Sequence, residues 1–201
     1  PAAPSSTAAQ GPPDGGGLEQ FGFSRTGSWV FRREHFLAGP PPPAESLLVP
    51  GGQTLFFDTE TTGLGAGNVI FLAGLARPEP DGTRFVQLFL TDFPGESEFL
   101  EQLFAQLSAP SHLVSYNGAA FDLPLLRSRS IINRLFPPAL EHTDLIHIAR
   151  RLWRRVLGDC SLASLERSVL GVRRENDVAG ALVPDLYHRY LREGRAAGLE
   201  K

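Results

Sequence analysis

Thr54-Leu55-Phe56-Phe57-Asp58-Thr59-Glu60-Thr61-Thr62-Gly63-Leu64 reads as a buried strand that delivers two carboxylates at its end. The run Thr54 to Phe57 is short, apolar and rich in β-formers, as expected of a strand inside a sheet. Strand side chains alternate between faces, so Asp58 and Glu60, two apart, point the same way if strand geometry persists through Glu60. A second stretch, Asn117-Gly118-Ala119-Ala120-Phe121-Asp122, follows another apolar run and supplies a third acid. Burying acids at the ends of hydrophobic strands costs several kcal/mol unless a cation or hydrogen bonds compensate. Three acids meeting in one place therefore call for a ligand.

Working outward, Thr54–Asp58, Val69–Ala76 and Arg84–Leu90 are β-rich runs separated by turns carrying Gly65, Gly67, Asp81 and Gly82, which predicts a three-stranded antiparallel meander. Ser97 to Leu107 places Phe99, Leu100, Leu103, Phe104 and Leu107 on one helical face, and His112 to Tyr116 returns as a fourth strand beside the first. Asp122 can cap a helix running to about Arg129, with Pro124 tolerated in its first turn. Further helices fit Asp144–Val156, Ser161–Leu170 closed by Gly171, and Pro184–Arg192. Strands first and helices afterwards around a mixed sheet indicate an α/β layered domain, an antiparallel meander plus a parallel strand with flanking helices.

Residues 1–18 are mostly Pro, Ala, Gly and Ser, too poor in apolar surface to offset chain entropy, and are expected to be disordered. Residues 19–50 read as an N-terminal extension in which Phe21, Phe23, Trp29 and Phe31 alternate well enough for a short hairpin around Thr26-Gly27, until Arg32 and Arg33 break the pattern. Gly39 to Pro43 interrupts regular structure, leaving residues 51–201 as the main domain.

The 201 residues, 42% hydrophobic, suffice for one compact core and leave little for a second domain. A net charge of -3 argues against coating nucleic acid by bulk charge, so phosphate contacts must come from a local patch. The single cysteine, Cys160, excludes an intramolecular disulfide, and no run approaches the ~18 apolar residues of a membrane span. A soluble protein of a reducing, cytoplasmic compartment fits, with no membrane partner; the oligomeric state is not legible. Methionine is absent and Glu200-Lys201 follows a helical pattern with no stop signal, so the chain reads as part of something longer.

Hard oxygen donors suit Mg²⁺ or Mn²⁺, and two such ions held about 4 Å apart can stabilise the attacking and leaving oxygens of a phosphodiester. An isolated Asp-x-Glu usually does no more than end a strand. Here it follows a hydrophobic strand, is extended by Thr-Thr-Gly-Leu and is matched by a second acid-bearing segment. Asp58-Thr59-Glu60-Thr61-Thr62-Gly63 resembles the first motif of the DEDD superfamily of 3′–5′ exonucleases on the ribonuclease H-like fold, and Asn117 to Asp122 resembles its second. Phe71-Leu72-Ala73-Gly74-Leu75, Asp122-Leu123-Pro124-Leu125-Leu126, Ala149–Arg155, Ser164–Arg167 and Val169–Val172 are similar to the YprB-type branch of that fold, so the resemblance covers roughly residues 20–201.

The resemblance implies a metal-dependent nuclease, a 3′–5′ exonuclease on single-stranded DNA or RNA, with two Mg²⁺ or Mn²⁺ ions. By it Asp58 would touch both metals, Glu60 would hold the metal that activates water, and Asp122 would serve the second. Thr61 would contact substrate, and Asn117 would shape the loop or touch substrate. The alternative is a non-catalytic nucleic-acid-binding module. An aspartyl phosphatase is disfavoured, because such sites usually want Asp where Glu60 stands.

The family pattern also includes a fourth acid on a late helix, preceded by a His or Tyr as general base. Asp185 has Gly180 five positions earlier where a His is expected; Asp177 and Asp144 are further acids in plausible reach, and the reading favours an acid beyond Lys201. A chain without it should bind metal poorly and turn over slowly. Arg150, Arg151, Arg154 and Arg155 around Trp153 form either a phosphate-binding patch or a solvated helix face. His142 and His147 lack the further ligands of a zinc site and read as structural, Tyr187 and Tyr190 as packing residues, and Cys160 as inert.

Overall fold

The computed structural model describes residues 14–40, 54–63, 65, 67–108, 112–174 and 178–196. Seven strands form one sheet: β1 (Ser24–Arg25), β2 (Val30–Ala38), β3 (Thr54–Thr61), β4 (Ile70–Glu79), β5 (Gly82–Leu90), β6 (His112–Ser115) and β7 (Glu141–Asp144). Their order is β1-β2-β5-β4-β3-β6-β7. β3, β4 and β5 are the expected antiparallel meander. β6 runs parallel beside β3, with Leu55 opposite Leu113. The helices are α1 (Glu96–Leu107), α2 (Asp122–Ile132), α3 (Leu145–Leu157), α4 (Leu162–Leu165) and α5 (Val183–Glu193). The fold is α/β, a mixed sheet with flanking helices.

The central strands form because their side chains have somewhere dry to go. Leu55, Phe57, Ala73, Leu75, Leu88 and Leu113 are buried against Phe99, Leu100, Leu103 and Leu107, the face of α1 that its periodicity marks out. Each fully buried Leu or Phe contributes roughly 2 kcal/mol against exposure. Glu96, at the start of α1, accepts from Arg129 Nε and Nη2 at 2.5 Å each and from Asn133 Nδ2 at 2.9 Å. That buried ion pair locks α1 to the C-terminal turn of α2, the helix whose first residue is Asp122.

An aromatic cluster anchors α5. Tyr187 is fully buried and stacks on Phe71 with centroids 4.0 Å apart, while Tyr190 meets Phe89 edge-on at 5.2 Å. The register of β3 with β4 shifts between Glu60 and Thr61, so that Glu60 faces Leu72, Thr61 faces Ile70 and Phe71 is passed over. Such bulges re-aim side chains near strand ends. Here Phe71 is the one that meets α5.

Several expectations need correction. The disorder expected for residues 1–18 does not extend to residues 14–18: Leu18 is buried in the core, Ala196 N–H donates to Gly16 O at 2.9 Å, and Gly15 lies so close to Phe31 that a Cβ would come within 2.4 Å of its ring. Three glycines suit a segment that must lie flush against the body. The rest of that stretch lies outside the described residues. The hairpin forms as β1 with β2, but Arg32 and Arg33 do not end it, because β2 pairs with β5 from Val30↔Leu90 to Ala38↔Gly82. Backbone pairing sustains this exposed outer strand, and charged residues suit it because they discourage edge-to-edge association. The segment read as an extension thus lies in the same sheet.

β7 was not expected. Asp144, read as the start of a helix, ends this strand and caps α3. The single helix expected over Ser161–Leu170 divides into α4 and a wider π turn, Glu166–Leu170. Among the described residues no helix is long and apolar enough to cross a membrane.

Candidate active site

β3 carries Asp58 and Glu60 past the last apolar residue of the strand, into a cavity of about 710 Å³. Its wall also includes Thr59, Thr61, Gly63, Ala120, Phe121, Asp122, Ser128, and Gly180, Ala181 and Pro184 at and before the start of α5. Asp58, Glu60 and Asp122 therefore share one cavity. Asp122 arrives differently from expectation: β6 stops at Ser115, and Asp122 is the first residue of α2 rather than its cap or a strand end. A carboxylate in a first helical turn is favoured by the helix dipole.

The electrostatics record the crowding. Burial pushes the Asp58 carboxyl above its ordinary value, and the charge of Asp122 pushes it further. Burial raises Asp122 too, with Asp144 adding to the rise, against the hydrogen bond that Thr59 Oγ1 donates to Asp122 Oδ1. Thr59 thereby ties the middle of the acid strand to the start of α2. Asp122 is buried and Asp58, though exposed to the cavity, lies close enough to feel its charge, so the two ionised carboxylates repel each other without a counter-charge.

In kind these oxygen donors fit a hard divalent cation. In number they are short: among the described residues no group of three or more His, Cys, Asp or Glu side chains is arranged to hold a metal ion. Asp185 is exposed on α5 and does not line the cavity, although its neighbour Pro184 does. Asp177 lies outside the described residues. Asp144 is committed to backbone: its Oδ1 accepts from Asn117 N at 2.7 Å and Ile146 N at 3.1 Å, and its Oδ2 from Ala119 N at 3.0 Å.

Thr61 lines the cavity, with its hydroxyl donating to Gly63 O at 2.8 Å. Asn117 is absent from the cavity wall and takes a left-handed conformation, φ 66°, that bends the chain between β6 and α2. His142 Nε2 lies 2.9 Å from Ser115 Oγ, and burial lowers its pKa. Tyr187, Tyr190 and Cys160 are buried, and Arg150, Arg151, Arg154 and Arg155 are exposed on α3 away from the cavity. Sequence reasoning missed Phe121, an aromatic 54% exposed at the cavity wall next to Asp122. A lone aromatic beside an acid gives no pattern, since the same letter serves a core.

A mixed sheet whose central strand presents acids beside a parallel neighbour, flanked by helices, defines a ribonuclease H-like domain. A family model of the RNase_H superfamily matches residues 55–201, and the chain belongs to that superfamily. It is 44% identical over 142 residues to the uncharacterized protein YprB of Bacillus subtilis (strain 168), an alignment covering 68% of this chain. The chain spans about a third of that relative, 34% of its length. Among solved structures it resembles E. coli exonuclease I in complex with a dT13 oligonucleotide, with 16% identity, a TM-score of 0.52 and coverage of 72% of this chain and 43% of the other. The zinc-bound form of the E. coli exonuclease I–single-stranded DNA complex is similar at 16% identity and TM-score 0.53, covering 74% and 41%. At such identity the likeness is one of fold.

Proposed function

We propose that this domain is a metal-dependent nuclease of the DEDD type, hydrolysing phosphodiester bonds as a 3′–5′ exonuclease on single-stranded DNA or RNA. The observation that carries the reading is that Asp58, Glu60 and Asp122 all line one cavity of about 710 Å³. Superfamily membership supports it, as does the common fold with exonuclease I, which was solved with single-stranded DNA.

In this reading Asp58, Glu60 and Asp122 would hold the Mg²⁺ or Mn²⁺ ions, Asp58 and Glu60 from β3 and Asp122 from the start of α2. Bound divalent cations supply Lewis-acid stabilisation of the phosphate and a more acidic water. The chain itself orients the substrate. Phe121 offers a face on which a base can stack, worth about 1–3 kcal/mol per base. The turn after β3, braced by the Thr61 hydroxyl, borders the strand's path, and Asn117 contributes by shaping the loop that delivers Asp122. The lone buried Cys160 suits a reducing, cytoplasmic setting.

The test is cleavage of fluorescently labelled single-stranded DNA and RNA with Mn²⁺. Wild type should shorten a 5′-labelled strand stepwise while Asp58→Asn leaves it intact. Equal degradation by both proteins would defeat the proposal. A second reading, a non-catalytic nucleic-acid-binding module, draws on the lack of a three-residue metal group among the described residues. It predicts salt-sensitive binding with no shortening under any divalent ion.

A further inference from the structure

We infer that Asp144 is a positioning residue whose carboxylate clasps the backbone of the loop carrying Asp122 and so fixes where that acid enters the cavity. The inference rests on the reading of the cavity as a metal-dependent site. Asp144 caps α3 by accepting from Ile146 N–H, a task that Ser, Thr or Asn performs about as well. Two further bonds reach back across 27 and 25 residues to the N–H groups of Asn117 and Ala119. Three donors on one side chain require an acceptor with no donor of its own, which only an ionised carboxylate supplies at this length. Burial opposes the charged form of Asp144, and the three N–H groups outweigh it, so its carboxyl stays below the ordinary range.

The clasp is coupled to Asp122 by a short path. Asn117, at φ 66°, sits in the left-handed region, where successive N–H groups converge on one point. Between the two clasped amides lies Gly118, whose carbonyl accepts from Leu123 N at 2.9 Å, the residue after Asp122. The Cα of Gly118 passes so near the acid that a Cβ there would stand 3.1 Å from Asp122 Oδ2. Asp144 thus reaches Asp122 through two amides, one carbonyl and no mobile side chain. Asn117, Gly118, Ala119 and Asp144 do not line the cavity, which separates them from the residues that do.

Removing a residue that orients metal ligands typically weakens metal affinity 10- to 100-fold. Mn²⁺ binding by calorimetry should accordingly weaken roughly 10- to 100-fold in Asp144→Asn and Asp144→Ser, both of which keep a cap for α3. Val30→Ala, a core truncation on β2, lowers stability and should leave Mn²⁺ affinity within about twofold. Amide hydrogen exchange at Asn117 and Ala119 should be protected in wild type and accelerated in either Asp144 variant. Unchanged Mn²⁺ affinity in the Asp144 variants, or an equal loss in Val30→Ala, would overturn the assignment. Wild type that binds no Mn²⁺ sinks the metal reading instead; the clasp is then judged on exchange, and unprotected wild-type amides at Asn117 and Ala119 overturn it whether or not the variants fold.

Discussion

Gly118→Ala puts the geometry around Asp122 under the most direct strain. Gly118 has no unusual φ, so the case is one of space alone: an added Cβ would lie 2.3 Å from Ser115 Oγ, 2.8 Å from Ser115 Cβ and 3.1 Å from Asp122 Oδ2. Ordinary contacts begin near 3.4 Å, so the overlap with Ser115 is about an ångström, against the fixed end of a buried strand. Overpacking of this kind costs about 1–3 kcal/mol. For a domain of this size that lowers Tm by about 2–12 °C. The loop can relieve the clash only by moving away from Ser115 and taking Asp122 with it, and a displacement of about 1 Å in a reacting group costs roughly 100-fold in rate. Scanning calorimetry and Mn²⁺-dependent oligonucleotide cleavage read the two effects separately. Adding Ser115→Gly removes both nearest atoms at the cost of the Ser115–His142 hydrogen bond, about 1 kcal/mol. The double variant should therefore recover most of the rate and only part of the stability. A Gly118→Ala protein that melts and cleaves like wild type would refute the reasoning.

In metal-free protein, Asp58 has a folded-state pKa above its ordinary 3.8, so its ionisation erodes stability as pH rises from that value through the folded pKa. Asp58→Asn should therefore be more stable than wild type at neutral pH, by a margin that solvent screening keeps small because Asp58 is exposed, and nearly equal at about pH 3; urea titrations that find it less stable at neutral pH contradict this. Glu96→Gln leaves the Arg129 guanidinium without its carboxylate and should cost about 3 kcal/mol; an unchanged urea midpoint would show that the pair contributes little. The Tyr187 hydroxyl is buried with no hydrogen-bond partner among the described residues, so Tyr187→Phe should be neutral or up to about 1 kcal/mol stabilising, and a Tm loss of several degrees would reveal a partner.

What could be read from the sequence follows from where water is excluded. β3, β4 and β5 lie inside the sheet, so Leu55-Phe56-Phe57 and Phe71 to Leu75 carry apolar patterns, and α1 declares its buried face at Phe99, Leu100 and Leu103. The middle of β2, residues 32–35, and all of β7 carry Arg, Glu, His, Thr and Asp, because outer positions are held by backbone pairing, and pairing leaves no side-chain pattern. Asp58, Glu60 and Asp122 could be picked out because two acid-bearing segments follow apolar strands. Asp144 drew notice as an acid, but its bonds to Asn117 and Ala119 amides depend on a loop 25 residues away, and an amide has no letter of its own. Gly180 and Ala181 reach the cavity wall through the packing of Tyr187 on Phe71, a contact visible only once the bulge in β4 turns Phe71 toward α5.

Paramagnetic broadening on Mn²⁺ addition tests the central claim at its root, since Mn²⁺ selectively quenches amide signals close to where it sits. The account predicts loss of signal first at residues 58–61 and 119–123, reversed by chelation and abolished in Asp58→Asn. Broadening centred elsewhere on the chain, or none at these positions, would contradict a divalent-cation site formed by Asp58, Glu60 and Asp122.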